Sequence, residues 1–327
     1  ISKEEIQKIS LFCNVPSNAV IPSYDVNSIY QVPQLLSKSK LDDLVIKKLK
    51  IKPIKAKNLT VWENFEILES KTKEDLKIFI IGKYVHLKDS YKSLYEAIYH
   101  AGIHNQANVM IKWIDSETIN KKNVNELLKS ASGILIPGGF GNRGIPGKLE
   151  AIKFARENNV PFLGICLGMQ LTIIEYVRNV IRLKNSGSSE FGKYKNNIIS
   201  LMTEWNLKNK KIKRSKENDL GATMRLGAYP CFIKKNSLAS KIYRKKMISE
   251  RHRHRYEVNP KFKSIIERGD LIFSGFSKDK KLLEIVENKN HKWFLAVQYH
   301  PELKSKPFKP HPIFLSFIKN SLTHKNV

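Results

Sequence analysis

The sequence predicts an α/β protein with a mostly parallel central sheet flanked by helices and an additional β-rich section. Three observations carry this. From Leu76 onward, short apolar, β-branched runs alternate with amphipathic stretches, the rhythm of strands and crossover helices. Two of these runs end in glycine-bearing turns, Pro137-Gly138-Gly139-Phe140-Gly141 and Gly164-Ile165-Cys166-Leu167-Gly168. From Met224 the helical stretches give way to closely spaced strand-like runs.

In chain order, the first strand covers residues 76–81 and is stopped by Gly82. Asp89 offers an N-cap to a helix whose apolar positions include Leu94, Ala97, Ile98 and Ala101. Strands follow at 109–114 and 133–136, a helix closes around Arg156, and a further strand at 160–165 runs into a helix over 167–180. The β-rich section comprises 224–233, 255–258, 271–276, 282–287 and 293–299, and a helix from 312 to about 318 closes the domain. Before residue 76 the pattern differs. Residues 9–36 carry apolar clusters in a stretch too short for its own core, and 47–57 is a lysine-punctuated linker containing Pro53. The expected division is therefore 1–45, a join at 46–75, and a main domain at 76–327.

With 327 residues the chain can bury a sizeable core. The net charge of +28 is mostly lysine and spread along the whole length, so it reads as compositional bias rather than a nucleic-acid face. Cys13, Cys166 and Cys231 lie far apart, which excludes a disulfide framework or CxxC metal cluster and fits a reducing cytoplasm. No signal pattern appears, and no apolar run reaches the about 18 residues of a membrane span. The first residue is Ile1, so the sequence reads as a piece of something longer.

The pentapeptide around Cys166 has the strand-turn-helix context of a nucleophile elbow with cysteine in place of serine. A helix N-terminus favours the thiolate, and the Leu167 N–H would point at a developing oxyanion. By itself the motif fits equally a buried apolar cysteine. The Pro137-Gly138-Gly139 turn lets backbone amides approach a ligand and offers the Gly139 N–H as a second oxyanion donor, or is a plain turn. A phosphate loop is excluded, because Asn142 stands where one before Gly147-Lys148 needs glycine. In Gln298-Tyr299-His300-Pro301-Glu302, residues two apart share one side of an extended chain, so Glu302 can hold His300 while the other ring nitrogen faces a thiol.

With these motifs in this order, the chain resembles the class I, triad-type glutamine amidotransferases, and among them the CTP synthases. The resemblance rests on 164–170 (GICLGMQ), Ser189-Glu190-Phe191, Thr203-Glu204-Trp205, 223–227 (TMRLG), 251–258 (RHRHRYEV) and 298–302. It covers 77–318, while 9–36 is similar to the end of that family's synthetase domain.

The resemblance implies a flavodoxin-like fold and hydrolysis of glutamine through a cysteine thioester by Cys166, His300 and Glu302, with no cofactor for that step. It implies that glutamine is held by Gly139, Leu167, Gly168, Met169, Gln170, Glu190 and Arg255. The chemistry agrees for two of these, a carboxylate suiting the substrate ammonium and a guanidinium its carboxylate.

In the longer enzyme, the resemblance implies that ammonia aminates UTP to CTP with ATP and magnesium, in a homotetramer built largely by the missing synthetase half. Lys8 resembles a UTP-contacting lysine, and Tyr24, Asp25 and Val26 resemble a stretch lining the ATP site. One position departs: Pro146 stands where the family usually has a glutamate in a loop linked to GTP activation, so weaker GTP coupling is expected. The competing readings are a stand-alone γ-glutamyl hydrolase or peptidase on the same fold, and a non-catalytic basic assembly module.

Overall fold

The structure is a computed structural model that describes every residue except 54, 56, 57, 84, 202, 203, 208, 209, 214–223, 326 and 327. Thr203 and Thr223 of the motifs quoted above, and part of the 47–57 stretch, lie outside the described residues. The chain divides into two compact units, Ile1–Thr72 and Lys73–Val327.

The first unit holds α1 (Lys3–Phe12), α2 (Val32–Lys38), α3 (Leu41–Lys48) and α4 (Thr60–Ser70). A reciprocal capping box opens α1, where the Ser2 hydroxyl accepts the Glu5 N–H at 3.2 Å and the Glu5 carboxylate accepts the Ser2 N–H at 2.7 Å. Among the described residues its buried apolar side chains are Tyr30 and Phe65, packed edge to face 4.7 Å apart, while Leu11 and Phe12 are 79% and 85% exposed. Such a segment gains little from burial on its own.

The second unit runs β1 (Glu74–Gly82), α5 (Lys92–His104), β2 (Ala107–Asp115), α6 (Val124–Leu128), β3 (Gly133–Ile136), α7 (Ile145–Glu157), β4 (Phe162–Ile165) and α8 (Leu167–Asn179). It continues with β5 (Ser186–Ser188), β6 (Asn196–Leu201), β7 (Glu204–Leu207), β8 (Lys210–Lys213), β9 (Arg225–Ile233), α9 (Leu238–Tyr243), β10 (Met247–His254) and β11 (Tyr256–Val258). It ends with α10 (Lys263–Ile266), β12 (Leu271–Phe276), β13 (Leu283–Asn288), β14 (Phe294–Val297) and α11 (Pro312–Lys325).

Among the described residues one nine-stranded sheet has the order β10-β9-β12-β13-β14-β4-β3-β1-β2. From β14 to β2 the pairs are parallel, in the order of a flavodoxin-like doubly wound sheet. From β14 towards β10 they are antiparallel, so the β-rich section extends the same sheet. Strands β3, β4 and β14 are buried along their whole length, as strands covered on both faces must be. One core packs α7 and α8 against the sheet, and the other packs α5, α9 and α11 against its opposite face.

Several local features differ from expectation, among them β5 to β8, where the sequence reading placed no strand. Asp89 caps no helix: it lies in a 3-10 turn, Lys88–Tyr91, and α5 starts at Lys92 without a side-chain cap. The last helix runs on to Lys325. Strand β10 was not anticipated, because its alternation is hidden by its chemistry: the inward positions are Ile248, Glu250, His252 and His254.

Candidate active site

Three adjacent strands deliver the three motifs to one place. β3 ends in Pro137-Gly138-Gly139, β4 ends at Cys166, and β14 leads through Gln298 to His300, all at the carboxyl edge of the parallel sheet where such folds gather their ligands. A cavity of about 410 Å³ opens there, lined by Lys83, Tyr91, Gly138, Gly139, Phe140, Cys166, Arg253, His300 and Glu302 among others.

Cys166 stands between β4 and α8 with φ 53° and ψ −101°, a backbone state that L-residues avoid and nucleophile elbows use. The surroundings enforce it. The Cys166 N–H donates to the Val297 carbonyl at 2.7 Å, tying the elbow to β14. A Cβ at Gly168 would sit 2.3 Å from the Ile136 carbonyl oxygen of β3, and one at Gly164 would sit 2.9 Å from the Gly168 carbonyl carbon, so the close approach of α8 to β3 and β4 requires both glycines. The sulfur accepts a hydrogen bond from Gln298 Nε2 at 3.7 Å and lies 4.0 Å from the Arg253 carbonyl oxygen.

His300 Nδ1 and Glu302 Oε1 are 2.7 Å apart, which directs Nε2 away from the carboxylate. Nε2 is buried and makes no hydrogen bond of good geometry, the looseness common before a substrate draws such groups together. Burial works to lower the His300 pKa, but the Cys166 sulfur and Glu302 outweigh it and raise it to about 11. The protonated imidazole is therefore favoured beside the sulfur and the carboxylate. Gly138 makes room for it, since a Cβ there would lie 2.7 Å from His300 Cε1 and 3.5 Å from the Cys166 Cβ.

Glu190 is half-buried beside the loop after β3, where it accepts the Gly141 N–H at 2.8 Å. Burial raises its pKa, while that N–H, Lys83 and Arg255 pull it down. Arg255 therefore lies within electrostatic reach of Glu190, and its Nε is buried without a hydrogen-bond partner. Of the other positions, Leu167 and Gly168 open α8 behind the sulfur, Met169 is core, and Gln170 is 3% exposed with Nε2 donating to the Tyr256 carbonyl at 3.0 Å.

The sequence reading did not single out Lys83, whose amine donates to the Phe140 carbonyl, nor Arg253 and Gln298. Arg253 was within reach, because strand alternation in RHRH puts 251 and 253 on the side opposite the two histidines.

Behind the site lies a buried charge cluster. Arg225 pairs with Glu284 at 2.6 Å and with Glu257 at 3.2 Å, and His252 and His254 share a 2.8 Å hydrogen bond alongside. Burial holds both histidines well below the ordinary imidazole range, and it raises Glu257 to about 8 against the pull of Arg225. Lys8, Tyr24 and Asp25 are exposed and Val26 half-buried in the Ile1–Thr72 unit. Among the described residues no group of three His, Cys, Asp or Glu side chains could hold a metal ion, and no helix is long and apolar enough to cross a membrane.

Known proteins match this geometry. Residues 86–320 match the family model for class-I glutamine amidotransferases, and residues 1–51 match that for the CTP synthase N-terminus. A CTP synthase of Pelagibacter ubique is 54% identical over 98% of this chain, and one of Parvibaculum lavamentivorans is 48% identical over 98%. The chain spans 59% of the length of each of these curated relatives. A structure of the Trypanosoma brucei CTPS glutaminase domain with bound acivicin aligns at a TM-score of 0.68 and 36% identity, covering 76% of this chain and 94% of that one. By its sequence, its sheet order and the cysteine elbow at the sheet's carboxyl edge, the chain belongs to the class I glutamine amidotransferase family, among the glutaminase domains of the CTP synthases.

Proposed function

We propose that this chain hydrolyses L-glutamine to glutamate and ammonia. The observation that carries the reading is that the strained Cys166 elbow and the hydrogen-bonded His300–Glu302 pair line one cavity together with the Pro137-Gly138-Gly139 turn. The Cys166 thiolate attacks the side-chain amide carbon, and the oxyanion is held by the Gly139 and Leu167 N–H groups. As the C–N bond breaks, His300 gives its proton to the departing nitrogen, leaving a glutamyl thioester. His300 then takes a proton from water, hydroxide displaces the sulfur, and glutamate leaves. Glu190 and Arg255 hold the substrate ammonium and carboxylate, and Gly168, Met169 and Gln170 complete the glutamine site. No cofactor takes part in this step.

The measurement that tests it is glutamate release from glutamine, with and without acivicin. Acivicin is expected to abolish release and to add mass at Cys166 alone, with protection by glutamine. A folded chain that neither turns over glutamine nor takes the label sinks the reading.

We extend the proposal to the longer protein. Residues 1–45 are the tail of a synthetase domain, 46–75 the join and 76–327 the amidotransferase domain. The ammonia serves an ATP- and magnesium-dependent amination of UTP to CTP in a cytoplasmic homotetramer, with no nucleic-acid or membrane partner. Lys8, Tyr24 and Asp25, which are exposed, and the half-buried Val26 form too little of a nucleotide or metal site for any step to be derived from them.

Pro146 sits in the first turn of α7, where it supplies neither a charge nor an N–H. In the full-length enzyme, Pro146→Glu is expected to strengthen stimulation of CTP formation by GTP. Equal stimulation in both forms would remove that part of the reading.

A further inference from the structure

The geometry points to Gln298 as a further catalytic residue, a hydrogen-bond donor that stabilises Cys166 as the thiolate, with Gln170 as the positioning residue that aims it. The inference rests on the glutaminase reading above and assigns a role to a side chain that the mechanism so far leaves idle.

The direction of the Gln298 amide follows from a chain of contacts anchored on backbone. A carbonyl oxygen only accepts, so the Gln170 atom 3.0 Å from the Tyr256 carbonyl is its NH₂. The same NH₂ lies 3.3 Å from the Gln298 side chain, which must present its oxygen there. That leaves the Gln298 NH₂ facing the Cys166 sulfur at 3.7 Å.

Neither amide is free to turn away, since Gln298 and Gln170 are 0% and 3% exposed. The Gln298 backbone is fixed as well, its N–H donating to the Glu284 carbonyl at 2.9 Å. A buried primary amide has two hydrogens to place, and one of those of Gln298 is spent on the sulfur.

The contact suits the charged sulfur better than the neutral one. A thiol can donate towards the Arg253 carbonyl at 4.0 Å, whereas a thiolate cannot and needs donors instead. Gln298 supplies one at 3.7 Å, while His300 Nε2 makes no hydrogen bond of good geometry. The other ionisable groups that bear on the sulfur are Lys83, Tyr91 and Arg253, which line the same cavity, Glu302, which holds His300, and His252 and His254 from β10, which burial keeps neutral.

The test is the pH dependence of alkylation of Cys166 by iodoacetamide in the 327-residue chain carrying Cys13→Ser, read by peptide mass, alongside glutamate release. Gln298→Met keeps the length and removes the donor; Gln298→Asn keeps an amide but draws it back from the sulfur. Both are expected to move the alkylation midpoint up by about one pH unit and to lower kcat about tenfold with little change in KM. Gln170→Met is expected to move the midpoint the same way and also to raise KM.

A midpoint unchanged in both folded Gln298 variants overturns the role of Gln298, because a purely structural part would leave sulfur ionisation untouched. If Gln170→Met raises KM without moving the midpoint, Gln170 does not aim Gln298. Absence of cysteine-dependent glutamate release from the reference chain overturns the glutaminase reading itself.

Discussion

Cys166→Ala is expected to bring glutamate release down to the uncatalysed background, a loss of at least roughly 10⁴-fold in kcat. The fold should survive, because Cys166 is a small buried residue whose backbone is held by the Val297 carbonyl and by the packing of α8. The neighbours act as one unit with it. Glu302→Gln keeps a side chain of the same shape 2.7 Å from His300 but presents the wrong partner to Nδ1, and should cost about 10² to 10⁴-fold. The Cys166→Ala/Glu302→Gln double variant should then be no slower than Cys166→Ala alone, since without the nucleophile an oriented imidazole has nothing to serve. Steady-state glutamate assays on the three purified variants, each checked for an unchanged melting profile, decide this. A Cys166→Ala chain with substantial turnover would end the nucleophile assignment.

Arg225→Met should destabilise the Lys73–Val327 unit by about 3–5 kcal/mol, lowering Tm by roughly 10 °C. Arg225 is 2% exposed and is the cation between Glu257 and Glu284, so its removal leaves two buried carboxyl groups facing each other. Converting both to glutamine in the Arg225→Met background should recover much of the loss, which a merely spatial role for the arginine would not allow.

The same cluster sets a pH dependence. Folded Glu257 keeps its proton up to about 8, whereas an unfolded carboxylate releases it near the ordinary 4.5. The folded state thus binds more protons across that interval, and stability falls as pH rises through it. His252 and His254, depressed by burial, act oppositely below the ordinary imidazole value of 6.5. The Glu257 contribution therefore stands clear of theirs between about 6.5 and 8. Glu257→Gln retains an acceptor for Arg225 and removes the titration, so its Tm should fall less steeply than the parent's over that window. Parallel Tm–pH curves would show that Glu257 is ionised in the folded protein.

Much of the site was legible because its chemistry is written locally. A strand-turn-helix with glycines on both sides of a cysteine has few uses, and the clashes that a Cβ would make at Gly164 and Gly168 show why those letters are needed. The alternation His300-Pro301-Glu302 likewise forces two side chains towards each other without help from the rest of the fold.

β10 escaped notice for the opposite reason. Pattern reading looks for apolar residues inside, and this strand turns Glu250, His252 and His254 inward because His311 and Glu284, remote in the chain, and Glu257, three residues after His254, receive them. RHRHR invites attention to its arginines, yet its histidines and a distant glutamate make the buried network. Arg253 lines the cavity, while Arg255, read from the sequence as the carboxylate holder, lies within electrostatic reach of Glu190.

By itself, then, the sequence determined which short segments carry reactive groups and how each is bent, since turn geometry, strand alternation and a helix N-terminus depend on residues a few places apart. That β3, β4 and β14 lie side by side, that Gln170 fixes the amide of Gln298 against the sulfur, and that two histidines and two glutamates are buried around one arginine was decided only by the tertiary structure. Those arrangements join residues remote in the chain, and what brings them together is the burial of whole strand faces, an energy that no local window of sequence contains.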